Sequence, residues 1–239
     1  MADTEYLKSR IGKLGIDLTN NMLHQYVTYY EMIVEKNKVM NLTAITDFEE
    51  FVDKHFADSL SLIKAVDLSK VHYVMDVGTG AGFPAIPLKI AFPHLQITML
   101  DSLQKRMLFI DQVVTELQLS NMKTIHGRAE EIGHDPRYRE KYDLCVSRAV
   151  ANLSTLSEYC IPFVKKGGFF ISYKSGGSLE EIQEADKAIK VMGGKRNQLC
   201  QFTLPDTDIT RILVPVKKIA PTPKKYPRKA GMPNKSPIK

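Results

Sequence analysis

The sequence predicts an α/β fold: a mostly parallel seven-stranded sheet with an antiparallel last strand, helices on both faces, and a helical extension at the N-terminus. Three observations carry that expectation. After Ser69, short apolar runs alternate with stretches of helical period, the texture of a parallel sheet joined by crossovers. The last two runs are separated only by a short region around Pro205 and Asp206, which suits an antiparallel pair. The first seventy residues carry three- and four-residue apolar spacings instead.

Within residues 18–38, Met22, Leu23, Tyr26, Tyr29, Tyr30, Ile33 and Val34 fall at helical spacing behind Thr19 and Asn20 as caps. A second helical stretch covers about 48–66, and residues 37–44 between them break the period. Strands are expected at 72–77, 96–100, 122–126, 142–147, 169–174, 199–203 and 211–216, with helices at 85–92, 103–117, 153–163 and 179–192. The chain thus divides into a helical extension (1–70), a sheet-bearing domain (71–216) and a tail (217–239).

Composition narrows the function classes. Of 239 residues, 44% are hydrophobic and 25% charged, which excludes disordered and fibrous classes. Lys89, Lys165 and Lys166 interrupt the most apolar stretches, and residues 1–10 lack a signal-peptide core, so a cytoplasmic protein is expected. Cys145, Cys160 and Cys200 form no CxxC pair, and the six histidines form no HxxxH or HExxH, so neither a disulfide framework nor a metal site is expected. Residues 215–239 hold eight of the 33 cations, six of the twelve prolines and no acid, leaving 25 cations against 27 acids in the rest. A stiff, extended cationic tail suits a polyanion such as nucleic acid, or serves as a solvated terminus.

The sharpest local feature spans residues 74–84, where a strand runs through Asp76 into Gly78, Gly80 and Gly82 and then a helix. Glycines let a ligand approach the backbone closely. Phe83 stands where the last glycine of G-x-G-x-x-G would be, the one that packs helix on strand around a pyrophosphate. The next strand ends at Asp101, whose carboxylate suits two ribose hydroxyls or caps the following helix. The third strand ends in Gly127-Arg128-Ala129-Glu130, beside the base of the same nucleoside.

The stretch from Asp76 to Pro84, with Asp101, resembles the cofactor motifs of class I (Rossmann-like) methyltransferases that use S-adenosylmethionine. Asn41-Leu42-Thr43, His55-Phe56-Ala57-Asp58-Ser59, Gly127-Arg128-Ala129-Glu130, Ser147-Arg148-Ala149 and Tyr226-Pro227-Arg228-Lys229-Ala230-Gly231 look, in this order, like the signature of the glucose-inhibited division protein B family. That family comprises bacterial guanine-N7 methyltransferases of small-subunit (16S) ribosomal RNA. The resemblance spans nearly the whole chain. It implies that Gly78 and Phe83 line the cofactor's methionine side, Gly80 belongs to the cofactor site, Asp76 orients the ammonium, Asp101 holds the ribose, Ala129 and Glu130 the adenine. Arg148 then lies between cofactor and acceptor, a guanine in the decoding-region loop.

The end of the fourth strand agrees with this chemistry. Enzymes that methylate exocyclic amines carry Asp or Asn followed by Pro-Pro and an aromatic there; this chain has Ser147-Arg148-Ala149-Val150. Guanine N7 has an in-plane lone pair and no proton, so attack on a sulfonium methyl needs alignment and no base. Arg148 is the foremost catalytic candidate, through guanine O6, phosphate or the cofactor carboxylate, with a surface ion pair as its plain alternative. Asn41, His55 and Asp58 are further candidates: His55, Asp58 and Ser59 share a helix face, and Asn41 and Thr43 either border the acceptor or are turn and cap residues. Lys174, Lys224, Lys225, Tyr226, Arg228 and Lys229 are the expected RNA contacts, and truncation after Val216 is expected to weaken RNA binding while sparing cofactor affinity. A monomer acting on 16S ribosomal RNA or the small subunit is expected. A nicotinamide-dependent oxidoreductase and a non-catalytic RNA-binding assembly factor are the competing readings.

Overall fold

The structure is a computed structural model that describes residues 3–239. Helix α1 (Thr4–Gly12) starts where the Asp3 carboxylate accepts the Glu5 and Tyr6 amides, and α2 (Asn20–Met40) where Thr19 accepts the Met22 amide. After a loop, one continuous helical stretch changes its winding: α3 (Phe48–Phe51), a π-helix (Val52–Ala57), α4 (Asp58–Leu60) and a 3₁₀ turn (Ser61–Lys64). The extension is not a separate unit. Its Leu7, Ile11, Tyr26 and Phe56 share one buried cluster with Val74, Ile97 and Val146 of the sheet.

The sheet contains β1 (Tyr73–Val77), β2 (Gln96–Asp101), β3 (Met122–His126), β4 (Tyr142–Arg148), β5 (Val164–Ser175), β6 (Gly194–Arg196), β7 (Cys200–Thr203) and β8 (Thr210–Lys218). Their order is β3-β2-β1-β4-β5-β8-β6, with β7 also paired to β8. The pairs among β1 to β5 are parallel, and β8 runs antiparallel to β5, β6 and β7. β6 faces residues 216–218 and β7 faces 210–213 of the same strand, so one sheet position is filled by a strand in two pieces. Only the second piece carries an apolar signal; Gly194-Lys195-Arg196 has no alternation to read.

Between the strands lie α5 (Ala85–Ala91), α6 (Gln104–Glu116), α7 (Ala129–Ile132), α8 (Leu153–Cys160), α9 (Leu179–Glu184) and α10 (Asp186–Val191), with α11 (Met232–Lys235) near the end. The single helix expected over 179–192 is divided at Ala185 into α9 and α10. Val74 and Met75 point to opposite faces, one into the cluster with α2, α5 and α6, the other into a second core built with α8, α9 and α10. The strand order runs outward from β1 in one direction and from β4 in the other, so a crevice opens at the C-terminal ends of these two strands. Among the described residues, no helix is long and apolar enough to cross a membrane.

Candidate active site

Gly78, Gly80 and Gly82, the glycines of the turn after β1, have φ of 73°, 64° and 107°, a region L side chains rarely adopt. The Gly78 and Thr79 amides donate to the Leu100 carbonyl, and the Gly80 amide donates to Asp101 Oδ2 at 3.0 Å, which fixes the turn to the end of β2. A Cβ on Gly80 would face open space, its nearest neighbour the Gly78 carbonyl at 4.0 Å. Phe83, in place of a third glycine, fills its position with a ring packed on Tyr29 and Phe51 and stacked on His55 at 4.6 Å.

Above this turn lies a cavity of about 420 Å³ lined by Gly78, Gly80, Phe83, Asp101, Ala129, Glu130 and Arg148, seven of the eight residues expected to hold a cofactor. Asp76 is not on its wall. It is fully buried behind the turn with no hydrogen-bond partner on either oxygen among the described residues. Burial pushes its carboxyl up to about 7, against the pull of the Arg148 charge. Asp101 makes the helix-start contact of one of its two readings and borders the cavity that the other requires. Oδ1 accepts the Leu103 amide at 2.9 Å at the start of the following helix, while the carboxylate borders the cavity.

Arg148, the last residue of β4, is held from three sides. Nη1 donates to Asp58 Oδ2 (2.9 Å) and the Lys54 carbonyl (3.2 Å), Nη2 donates to His55 Nδ1 (3.3 Å), and the guanidinium lies over the Phe83 ring. A guanidinium cannot accept, so His55 Nδ1 carries the lone pair and its Nε2–H donates to Thr43 Oγ1 at 2.8 Å. Burial first, then the charges of Arg148 and Lys54, push His55 down to about 3. Asp58 Oδ1 accepts Arg211 Nε at 2.8 Å, so one nearly buried carboxylate lies between two arginines. The surface-pair alternative for Arg148 is thereby replaced: Asp58 is buried and the Arg148 side chain is only 12% exposed.

Two expected members do not join. Ser59 turns inward, donating to the His55 carbonyl, because the π-helix breaks the regular i, i+4 alignment. Asn41 is exposed and caps α2 in the left-handed region (φ 48°). The loop is stapled by Asn37 instead, whose Oδ1 accepts the Leu42 and Thr43 amides, and Thr43 is the residue that reaches His55. Asn37 and Arg211 were not identified from the sequence; Arg211 meets Asp58 only through sheet pairing at long range.

Beyond the wall formed by His55, Arg148 and Ala149, a second cavity of about 500 Å³ is bordered by Tyr173, Lys174, Glu181 and Arg211. Lys174 is only 10% exposed and ion-paired with Glu181 at 2.7 Å, not a free cation on the rim.

The tail is non-helical except for α11, yet it packs against the body. Arg228 forms a two-pronged ion pair with the buried Glu158, and its amide also donates to that carboxylate. The Gly231 amide donates to Glu130 Oε1 at 2.8 Å, on the cavity wall, and Arg139 donates to the carbonyls of Thr222, Pro223 and Tyr226. Arg228 is therefore spent internally, while Lys224, Lys225 and Lys229 are exposed, with Lys225 over the Tyr226 ring. The Gly231 contact with Glu130 ties the tail to the cofactor-side wall, so truncation is expected to affect that side as well as RNA binding.

The family model for rRNA small subunit methyltransferase G matches residues 22–210. The ribosomal RNA small subunit methyltransferase G of Lachnoclostridium phytofermentans is 49% identical over 238 residues, 100% of this chain and 98% of its own. The chain belongs to the rRNA small subunit methyltransferase G family. Its methyl donor is S-adenosylmethionine. The fold agrees: the YcgJ protein of Bacillus subtilis superposes with a TM-score of 0.53 at 14% identity, over 70% of this chain and 100% of that one. M. jannaschii TYW2, solved in complex with AdoMet, gives 0.50 at 14% identity over 63% and 70%. The cavity suits such a cofactor, with an open approach at Gly80 and the Asp101 and Glu130 carboxylates placed for hydroxyl and amino donors.

Proposed function

We propose that this chain transfers a methyl group from S-adenosylmethionine to N7 of a guanine in the decoding-region loop of the small-subunit ribosomal RNA, in the cytoplasm. The observation that carries this reading is the pair of adjoining cavities with Arg148, His55 and Ala149 on the wall between them. Gly78, Gly80, Phe83, Asp101, Ala129 and Glu130 hold the cofactor in the first; the acceptor base enters the second. When bound, the cofactor supplies an electrophilic methyl on a sulfonium.

The chain's own residues align and polarise. Guanine N7 attacks without losing a proton and so needs no base; His55 is neutral and engaged on both nitrogens, and Asp58 is paired to two arginines. Asp58 and the Lys54 carbonyl fix Arg148 so that its charge and planar face stand beside the transfer line without reorganisation. His55, stacked on Phe83, is a positioning residue for Arg148. Lys224, Lys225 and Lys229 offer phosphate contacts to the RNA around the acceptor, with Tyr226 beneath Lys225.

Purified chain, labelled S-adenosylmethionine and small ribosomal subunits lacking the modification test this reading, with the labelled base mapped. Label on guanine N7 is expected. No incorporation, or label on another atom, contradicts it.

A further inference from the structure

We propose that Lys174 and Glu181 read the Watson–Crick edge of the acceptor guanine inside the second cavity, an inference that rests on the guanine-N7 reading. Guanine presents an acceptor, O6, beside two donors, N1–H and N2–H, while N7 lies on the far side of O6. Lys174 and Glu181 offer the complement. Lys174 Nζ donates to the Ala151 carbonyl at 2.8 Å and to Glu181 Oε1 at 2.7 Å, which leaves one of its three N–H bonds. Glu181 Oε1 already accepts that ammonium and the Leu153 amide at 2.6 Å, whereas Oε2 accepts from no described residue.

Lys174 and Glu181 both line the cavity, one with a donor and the other with a carboxylate oxygen that no described residue occupies. The donor matches O6, and the oxygen matches N1–H and N2–H. Adenine in the same pose reverses both contacts, setting its amino group against the ammonium and its N1 lone pair against the carboxylate. A guanine held by this edge leaves N7 free, at about a right angle to the held edge and past O6, in a cavity that Arg148, His55 and Ala149 also border. Lys174, expected as an RNA contact, therefore acts on the base.

The test uses the full chain and RNA substrates that carry either guanosine or inosine at the methylated position, inosine lacking only the N2 amino group. Wild type is expected to lose roughly tenfold or more in kcat/KM on inosine, the scale of one hydrogen bond to a charged group. Glu181→Gln is expected to lower kcat/KM on guanosine by about tenfold or more, to lower it less on inosine, which keeps N1–H but has no N2 amino group to lose, and to leave the S-adenosylmethionine Kd unchanged. Equal rates on the two substrates by wild type overturn the inference and leave the N7 reading standing; this comparison needs no variant. A variant that slows both substrates equally, or neither, also overturns it. Wild type that puts no methyl on guanine N7 overturns the underlying reading and the inference with it.

Discussion

Arg148 and its partners divide the work between charge and packing, and substitutions should separate the two. Arg148→Ala leaves Asp58 paired to Arg211, so the fold is expected to survive while kcat/KM for methyl transfer falls by about 10²-fold or more. Near-normal activity in a folded Arg148→Ala protein contradicts the role assigned. His55 sets a pH signature. Its pKa is depressed from an ordinary 6.5 to about 3, so below pH 6.5 the unfolded chain binds the proton that the folded chain refuses, and stability falls as pH falls. Asp76 works in the opposite direction: its carboxyl, raised from 3.8 to about 7, makes the folded chain hold a proton over that window, adding stability as pH falls. The terms oppose in wild type, so the informative quantity is the stability difference between wild type and His55→Gln in urea unfolding. Between pH 6.5 and 5.5 the wild-type advantage is expected to shrink by about 1 kcal/mol. A difference constant with pH contradicts the burial-driven neutral imidazole.

At the scale of elements, the glycine turn lends itself to a controlled comparison. Gly78→Ala incurs both a left-handed backbone and a Cβ placed 2.4 Å from Val150 Cγ2, whereas Gly167→Ala has φ of 90° and nothing within 4 Å. Both should lose about 1 kcal/mol of stability for the backbone. Only Gly78→Ala should also weaken S-adenosylmethionine binding, and equal affinities would show that the turn does not form the cofactor floor. This turn was legible in the sequence because glycine spacing, the preceding apolar run and the following Pro84 are local signals. The elements that escaped lacked such signals. The Gly194–Arg196 strand has no apolar alternation, and the Val52–Ala57 segment carries no local pattern that separates a π-helix from an α-helix. Thr43 was visible as a motif residue, but its reach to His55 depends on Asn37 shaping the loop. The Asp58–Arg211 pair joins residues 153 positions apart, and no local pattern encodes it.

Across the whole molecule, the basic tail was legible as composition but not as placement. Cation and proline content marked it as extended; of the buried carboxylates that anchor it, Glu158 sits in a helix with no motif to mark it, and Glu130, legible as a motif residue, gave no sign of a contact with the tail. Its contacts make it part of the adenine-side wall. Truncation after Lys218 removes the Gly231 amide from Glu130 and leaves Glu158 buried without its arginine, an uncompensated charge that destabilises α8. The S-adenosylmethionine Kd of the truncated chain is expected to rise by about tenfold, and an unchanged value in equilibrium dialysis contradicts a supporting role for the tail. The central claim is that two chambers meet at one arginine, with the methyl donor in one and the purine in the other. A crystal structure of the chain with S-adenosylhomocysteine tests it most directly. The expected result is the sulfur at the wall of Arg148, His55 and Ala149, facing the chamber of Lys174 and Glu181. A sulfur turned away from that chamber, or a ligand bound elsewhere, contradicts it.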